Sequence, residues 1–197
     1  MGRKSGCSCE VLPGLSWRRR GQHERSRRPL SGVRRRFDPS GRPRTTNQRC
    51  RTEYQRAEPL DWENNDLLAL TAFVARQSRG QPIAVSSGQE LRAFVDHGRR
   101  LFEQREGQLN LSCSQCHDDN WGERVAGNII PQGHPTGYPI YRLEWQSLGS
   151  LQRRLRNCIV GMRAEPYEFG SAEYVALETF LMQRAAGLKI ETPGVRP

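Results

Sequence analysis

The sequence predicts an all-α fold with long glycine- and proline-rich loops, preceded by a basic, disordered N-terminus. Apolar residues recur every three or four positions in several stretches of the 197-residue chain, as they do on one face of a helix. Residues 118–142, in contrast, contain seven glycines and prolines that interrupt regular elements. Residues 1–51 carry 15 lysines and arginines against 3 acidic residues, whereas the remainder carries 16 against 18. Two different compositions are therefore joined near Arg51.

Residues 1–45 are rich in arginine, glycine, proline and serine and have no apolar period, which is typical of a disordered segment. A nucleic-acid-binding arm is less favoured, since neither interleaved aromatic residues nor zinc-ligand spacing accompanies the arginines. No stretch reaches the roughly 18–20 apolar residues of a transmembrane helix. A signal peptide is not evident either, because QHERSRRP follows WRRRG where an apolar region is expected. We therefore expect neither a nucleic-acid partner nor a membrane span.

Apolar positions predict two amphipathic helices in the middle of the chain. The first lies within residues 64–78, with Asp66 in its N-cap region, and it ends before Gly80 and Pro82. The second lies within residues 86–105. The residues predicted to form their buried faces are Leu67, Leu68, Leu70, Phe73 and Val74 in the first helix, and Leu91, Phe94, Val95, Leu101 and Phe102 in the second.

Two further helices are predicted downstream of the loop at 118–142. One spans residues 147–162, and the last spans residues 171–186, with Ser171 as its N-cap. Glu173 in the first turn favours a helix start here, because the helix dipole is positive at that end. The buried face of the last helix is predicted to comprise Tyr174, Val175, Leu177, Phe180 and Leu181.

The pentapeptide CSQCH indicates covalent attachment of a c-type haem. Cys113 and Cys116 can add to the two vinyl groups of the porphyrin, which places His117 under the iron. A structural zinc site would need a second pair of ligands at matching spacing, and a thioredoxin-like site would need a βαβ surround. The sequence offers neither of these.

A second axial ligand for the iron is available from Cys158 or Met162. The two residues are at i and i+4 of the predicted helix 147–162, so they share a face and spacing does not choose between them. Arg154 lies one turn before Cys158, where its charge is expected to favour a thiolate and its planar fork can bind an oxyanion. The arginines could equally form a solvated face, with Cys158 as a small buried side chain.

Longer stretches around these residues resemble the SoxA family, whose members are cytochrome c subunits of the periplasmic thiosulfate-oxidising system. The resemblance is carried by GQLNLSCSQCHDDNWG, GYPIYRLEWQSLGSLQRRLRNC, RAEPYEFGSAEYVALETFL and the terminal GLKIETPGVRP. Upstream it includes QRCRTEYQ and NDLLALTAFVARQSRGQPIAV, so it begins near Asn47. Such long contiguous segments are far more specific than the pentapeptide alone.

The resemblance implies one covalently bound haem c and assigns roles to the residues around it. Cys113 and Cys116 match the thioether anchors, and His117 matches the proximal axial ligand. Cys158 matches a catalytic cysteine that occurs as a persulfide and is the second axial ligand of the iron. Arg154 matches the substrate-binding arginine four residues earlier.

The resemblance also implies an activity, partners and a location. Family members act as L-cysteine S-thiosulfotransferases, which couple thiosulfate oxidatively to a cysteine of the carrier SoxYZ. They form a heterodimer with a smaller cytochrome, SoxX, through which two electrons leave. The same activity, the same partners and a periplasmic location are expected here, with Met162 as a packing residue. The alternatives are a plain electron-transfer cytochrome with His117 and Met162 as ligands, and a non-functional truncated relic.

The N-terminal part of the chain departs from the family pattern. Residues 46–85 match only the last part of a first cytochrome c-like domain, and residues 86–197 match the haem-binding catalytic domain. Cys50 matches a cysteine that ligates a first haem or forms a disulfide in its place, but Cys7 and Cys9 have the wrong spacing for a second haem motif. Residues 1–45 are therefore expected to be disordered or mistranslated, through a frameshift, a mispredicted start or a truncation.

Overall fold

The computed structural model describes residues 47–85 and 88–197, so the predictions for residues 1–45, including Cys7 and Cys9, lie outside the described residues. The helices are α1 (Asn65–Arg76), α2 (Gln89–Glu103), α3 (Leu151–Gly161) and α4 (Ala172–Arg184). The strands are β1 (Arg124–Val125), β2 (Asn128–Ile129), β3 (Ile140–Arg142), β4 (Ser147–Gly149) and β5 (Gly194–Arg196). Short π-helical turns span Cys50–Tyr54 and Gln115–Asp119.

Side-chain caps fix where α1 and α4 begin. Asn64 accepts a hydrogen bond from the backbone N–H of Asp66 at 2.8 Å, so Asn64 rather than Asp66 is the N-cap of α1. Ser171 caps α4 as predicted, and it accepts from the backbone N–H of Tyr174. Both helices are thus confirmed within their predicted ranges.

Three predicted core residues are exposed instead. Leu70 and Phe73 of α1 are 44% and 46% exposed, and Phe94 of α2 is also exposed. Helix α1 packs against the short strand β4, so only a narrow face of the helix is buried. After the first turn, the buried positions on this face are small residues rather than large ones. The buried positions of α1 are Leu67, Leu68, Thr71 and Ala72.

The third helix is shorter than predicted, and its expected first turn is a strand. Residues Ser147–Gly149 form β4, and α3 starts only at Leu151. Ser150 has an extended backbone and accepts from the N–H of Arg153 at 3.0 Å, which makes Ser150 the N-cap. The apolar spacing that predicted a helix from residue 147 therefore includes three residues whose backbone is extended.

The prediction of an all-α fold is wrong in part, because two small sheets accompany the helices. Strands β1 and β2 form a hairpin inside the expected loop. In the second sheet the order is β4-β3-β5, with β3 antiparallel to β4 and parallel to β5. Each strand has two or three residues, too few to show the alternating pattern by which strands are recognised in a sequence.

The hydrophobic core lies where α2 crosses α4, and α3 packs beside them. Gly98 stands at this crossing, where the two backbones approach closely. A Cβ atom at Gly98 would lie 2.1 Å from the carbonyl oxygen of Ala176. The buried side chains of this core are Phe102, Ile159, Tyr174, Leu177, Phe180 and Leu181.

We expect the substitution Gly98→Ala to destabilise the haem-loaded chain by about 2 kcal/mol or more, because overpacking here outweighs the helix propensity of alanine. A Cβ at this position overlaps backbone atoms of Ala176, which cannot turn aside as a flexible side chain can. Gly161→Ala is the matched control, since a Cβ at the end of α3 meets no atom within 4 Å. Urea unfolding followed by circular dichroism measures the difference, and equal midpoints for the two variants would contradict it.

Backbone hydrogen bonds join the loop after α1, at residues 80–83, to the segment after α4, at residues 188–190. The N–H of Ile83 donates to the carbonyl of Leu188 at 2.7 Å, and the N–H of Gly80 donates to that of Ile190 at 2.8 Å. These bonds cross the domain boundary predicted at residues 85 and 86. Among the described residues, no helix combines the length and the apolar character needed to cross a bilayer.

Candidate functional site

The two cysteines and the histidine of the CSQCH motif lie on one tight helical turn that continues into Gln115–Asp119. Ser112 and Gln115 close the start of this turn through reciprocal bonds. The N–H of Ser112 donates to the side chain of Gln115 at 2.9 Å, and the N–H of Gln115 donates to the Ser112 hydroxyl at 3.3 Å. This arrangement is a capping box, which satisfies two backbone N–H groups at the start of the turn.

The imidazole of His117 is oriented by the loop that follows it. Its Nδ1 lies 2.6 Å from the carbonyl oxygen of Pro131, to which it donates, so Nε2 keeps its lone pair. Burial lowers the pKa of His117, and the nearby Arg154 and Arg184 guanidinium groups lower it further, while the bond to Pro131 opposes them. The ring is therefore held neutral with one nitrogen available, which is the form that ligates metals.

Helix α3 brings Cys158 and Arg154 to this turn. Both side chains are half-buried, and they lie one helical turn apart on the same face, as predicted. The Arg154 guanidinium lies close enough to both His117 and Cys158 to lower the pKa of each. Cys113 and Cys116 interact electrostatically with Cys158 as well. The structure thus brings all five residues singled out from the sequence into one cluster.

Burial, rather than the charge of Arg154, dominates the pKa of Cys158, although Arg154 acts in the expected direction. Burial raises the pKa of Cys158 above its ordinary value, and Arg154 and Arg142 only partly oppose the rise. Burial likewise raises the pKa of Cys113 to about 12, with a contribution from the Cys158 side chain. In an apolar site the cost of removing a thiolate from water exceeds the benefit of a neighbouring guanidinium.

Tyr138 and Arg142 also belong to the cluster, although the sequence analysis did not single them out. Burial raises the pKa of Tyr138 to about 12, while Arg154 lowers it and Cys158 raises it. The carbonyl of Tyr138 accepts from the Thr192 hydroxyl at 2.8 Å, which ties this residue to the C-terminal segment. Both residues lie in the segment GYPIYR, where β3 pairs with the neighbouring β4 and with the distant β5.

The four arginines around Cys158 in the sequence have different surroundings. Arg153 stacks on the ring of Trp145, with 4.5 Å from its guanidinium carbon to the ring centroid. Arg156 stacks on Phe169 and donates to a backbone carbonyl, and Arg163 is exposed. None of the ion pairs among the described residues involves Arg154, and its charge acts on the side chains of His117 and Cys158. Arg154 is thus placed to meet an anion.

Met162 lies at the C-cap of α3, directly after the turn that contains Cys158. Its N–H donates to the Cys158 carbonyl at 3.0 Å, so the two residues are one turn apart as predicted. The Met162 side chain is partly buried against the hydrophobic core formed by α2, α3 and α4.

The chemistry of the cluster fits a covalently attached haem. Cys113 and Cys116 take part in no disulfide among the described residues, so both thiols are available for thioether bonds. His117 presents a neutral ring with Nε2 available, and Cys158 provides a second soft donor nearby. The described residues hold no cluster of three or more histidine, cysteine or acidic residues arranged for a bare metal ion.

Comparison with known proteins gives the same assignment. The family model described as SoxA/TsdA, cytochrome c domain, matches residues 36–83 and 97–190, and a cytochrome c domain implies haem c. The L-cysteine S-thiosulfotransferase subunit SoxA of Pseudaminobacter salicylatoxidans is 38% identical over 149 residues, which are 75% of this chain and 52% of the relative. The SoxA subunit of Rhodovulum sulfidophilum is 36% identical over 160 residues, covering 80% of this chain and 56% of the relative.

The fold agrees with a solved relative as well. A chain in the crystal structure of SoxXA from P. pantotrophus superposes with a TM-score of 0.76 at 30% identity, over 78% of this chain and 58% of that chain. The chain spans about half the length of the curated relatives it matches. On the family model, the sequence identity and the shared fold together, this chain belongs to the SoxA/TsdA cytochrome c family.

Proposed function

We propose that this chain is a SoxA-like haem subunit that couples thiosulfate oxidatively to a cysteine of a SoxYZ carrier. The observation that carries the proposal is the position of Arg154, whose charge reaches both His117 and Cys158 while forming no ion pair among the described residues. The relatives that match this chain are named as L-cysteine S-thiosulfotransferase subunits, which supports the same reaction class.

Four side chains would hold a single haem c. Cys113 and Cys116 would form the thioether bonds, His117 would ligate the iron through Nε2, and Cys158 would be its second protein ligand. Bound haem c supplies a one-electron acceptor and a metal cation next to the cysteine sulfur. Since burial raises the pKa of Cys158, a thiolate there needs such a cation, because coordination deprotonates a thiol where a distant guanidinium does not.

Arg154 binds the substrate, and Cys158 takes part in forming the new bond. The planar guanidinium of Arg154 binds two oxygens of the thiosulfate sulfonate, which directs the terminal sulfur towards Cys158. Cys158 mediates formation of the new sulfur–sulfur bond as a persulfide that is present before the reaction and is regenerated in each turnover, so it adds no atom or electron to the net reaction. Tyr138 interacts electrostatically with both Arg154 and Cys158.

The reaction is balanced when two electrons leave the site. A sulfur–sulfur bond forms between the terminal sulfur of thiosulfate and the cysteine sulfur of the carrier. The S–H bond of that cysteine is broken, its proton goes to water, and the product is a carrier S-thiosulfonate. The two electrons go to SoxX as the oxidant, one at a time. The match to a chain of SoxXA supports SoxX as the partner cytochrome.

The location and the domain division follow from the same proposal. A c-type cytochrome that uses thiosulfate and SoxX works in the periplasm. Residues 86–197 form the catalytic unit around the haem, and residues 46–85 correspond to the end of a first cytochrome c-like domain.

The axial ligands of the iron test this function directly. We expect the full chain, made behind a supplied signal peptide in a host that attaches haem c, to give a low-spin EPR signal of the thiolate type. Met162→Leu should retain that signal, because leucine preserves the packing and removes only a thioether. A methionine–iron charge-transfer band that disappears in Met162→Leu would instead support a plain electron carrier. A chain that neither folds nor retains haem would support the truncated relic.

A further inference from the structure

The carboxylate of Glu63, which lies shortly before α1, binds the N-cap of α3, the helix that carries Arg154 and Cys158. The hydroxyl of Ser150 donates to Oε1 of Glu63 at 2.6 Å, and the N–H of Ser150 faces Oε2 at 3.5 Å. Ser150 is the N-cap of α3, and it is buried. A negative charge at this end of a helix is favourable, because the unpaired N–H groups and the helix dipole make the end positive.

The residue next to Glu63 supports the same turn of α3 from another side. Trp62 packs against Gly170, where a Cβ would lie 2.5 Å from the indole ring. The N–H of Gly170 donates to the side chain of Gln152 at 2.8 Å, and Gln152 is fully buried in the first turn of α3. The first turn of the helix is thus held through Glu63 at Ser150 and through Trp62 at Gly170.

These polar contacts act on the first turn of α3, while Leu151, Leu155 and Ile159 pack the helix against the hydrophobic core. The buried residues of α3 are Gln152, in the first turn, and Ile159. Arg154 lies one turn after the cap, and its N–H donates to the Ser150 carbonyl at 3.3 Å. Cys158 lies one turn further along the same rigid element. A change in the placement of Ser150 is therefore transmitted along the helix to both side chains, with about 1.5 Å of axial rise per residue.

We infer that Glu63 is a positioning residue that sets the placement of Cys158 and Arg154 at the candidate haem site. The inference rests on the proposed function in one respect, namely that Cys158 is an axial ligand. It also assigns a role to the segment at residues 46–85, which is predicted from the sequence to be the remnant of a first cytochrome c-like domain. That segment supports the first turn of the helix on which the reacting cysteine stands.

The test compares variants of Glu63 that differ in charge and in length, in the full haem-loaded chain. In Glu63→Ala the ratio of thiolate-ligated haem to all other low-spin forms should fall about tenfold, as expected for the loss of one hydrogen bond to a charged group. Glu63→Gln keeps an acceptor oxygen at the same distance but loses the charge, so the ratio should fall by less than in Glu63→Ala. Glu63→Asp keeps the charge but is one methylene shorter, so it should behave like Glu63→Ala.

Glu58→Gln is the matched control, because Glu58 lies in the same segment, is exposed and loses the same charge. It should leave both the EPR spectrum and the haem midpoint potential unchanged. If Glu63→Ala fails to fold, the comparison of Glu63→Gln with Glu63→Asp still decides, and identical spectra from these two would overturn the inference. A lower unfolding midpoint with an unchanged spectrum in Glu63→Ala or Glu63→Asp would also overturn it and leave the proposed function standing. A wild-type spectrum without a thiolate signal would overturn both.

Discussion

Replacing Cys158 by methionine is expected to abolish thiosulfate transfer while the haem stays attached. Attachment depends on Cys113 and Cys116, which the substitution leaves unchanged. A thioether can still ligate iron, but it has no S–H group and cannot form a persulfide. The rate of carrier modification should therefore fall by at least about a thousandfold, as for the loss of other covalent nucleophiles.

Two measurements separate loss of chemistry from loss of the cofactor. Mass spectrometry of the SoxYZ carrier, after incubation with thiosulfate, SoxX and Cys158→Met, should show no S-thiosulfonate adduct. The absorption spectrum of the same variant should show stoichiometric haem, and its midpoint potential should rise, because a methionine ligand favours the reduced iron. Met162→Leu serves as the control with normal adduct formation. An adduct formed by Cys158→Met at the wild-type rate would remove Cys158 from the mechanism.

Local chemistry explains why the attachment motif and its helices could be predicted from the sequence. Cys113, Cys116 and His117 are contiguous, so their spacing alone places them on one turn. Helix α2 is long and strongly amphipathic, and α4 is rich in apolar residues, so both could be recognised, and their buried residues meet in the core. The choice of Cys158 over Met162 needed the resemblance to the SoxA family, because both residues occupy one face of one helix.

Non-local pairing explains most of what the sequence could not reveal. Strand β5 pairs with β3 across more than fifty residues, and that pairing creates the wall that holds Tyr138 and Arg142 beside Cys158. Glu63 and Ser150 are 87 residues apart in the chain. Neither contact has a local sequence pattern. A strand of three residues cannot be distinguished from a loop in the sequence, and a single carboxylate in a loop does not reveal its partner.

The pKa of Cys158 illustrates a different limit. The sequence shows an arginine at the right helical spacing, and that spacing correctly predicts that its charge favours the thiolate. Burial is a property of the whole fold, and here it outweighs the charge of Arg154. A list of neighbours in the sequence gives the sign of each interaction with a thiol, but the balance depends on how much water the fold removes.

The second large effect is expected at Arg154. Substituting glutamine would remove the two charge-assisted hydrogen bonds that we propose between Arg154 and the thiosulfate sulfonate, so kcat/KM for thiosulfate should fall by about a hundredfold. Most of the loss should lie in KM, because the same oxygens are bound before and during bond formation. Arg154→Lys keeps the positive charge but lacks the planar fork, so its kcat/KM should lie between those of the wild type and Arg154→Gln.

Arg153 provides the control for this prediction, since it precedes Arg154 in the sequence and carries the same charge. Its guanidinium stacks on Trp145 and lies 3.4 Å from the Ser147 hydroxyl, away from the cysteine cluster. If Arg154 acts by direct contact with the anion, Arg153→Gln should leave KM for thiosulfate nearly unchanged at physiological ionic strength. If the arginines around Cys158 act only through a general attractive field, the two glutamine variants should raise KM equally, and added salt should raise it further in both. A direct bidentate contact predicts a large difference between the two variants that persists in high salt.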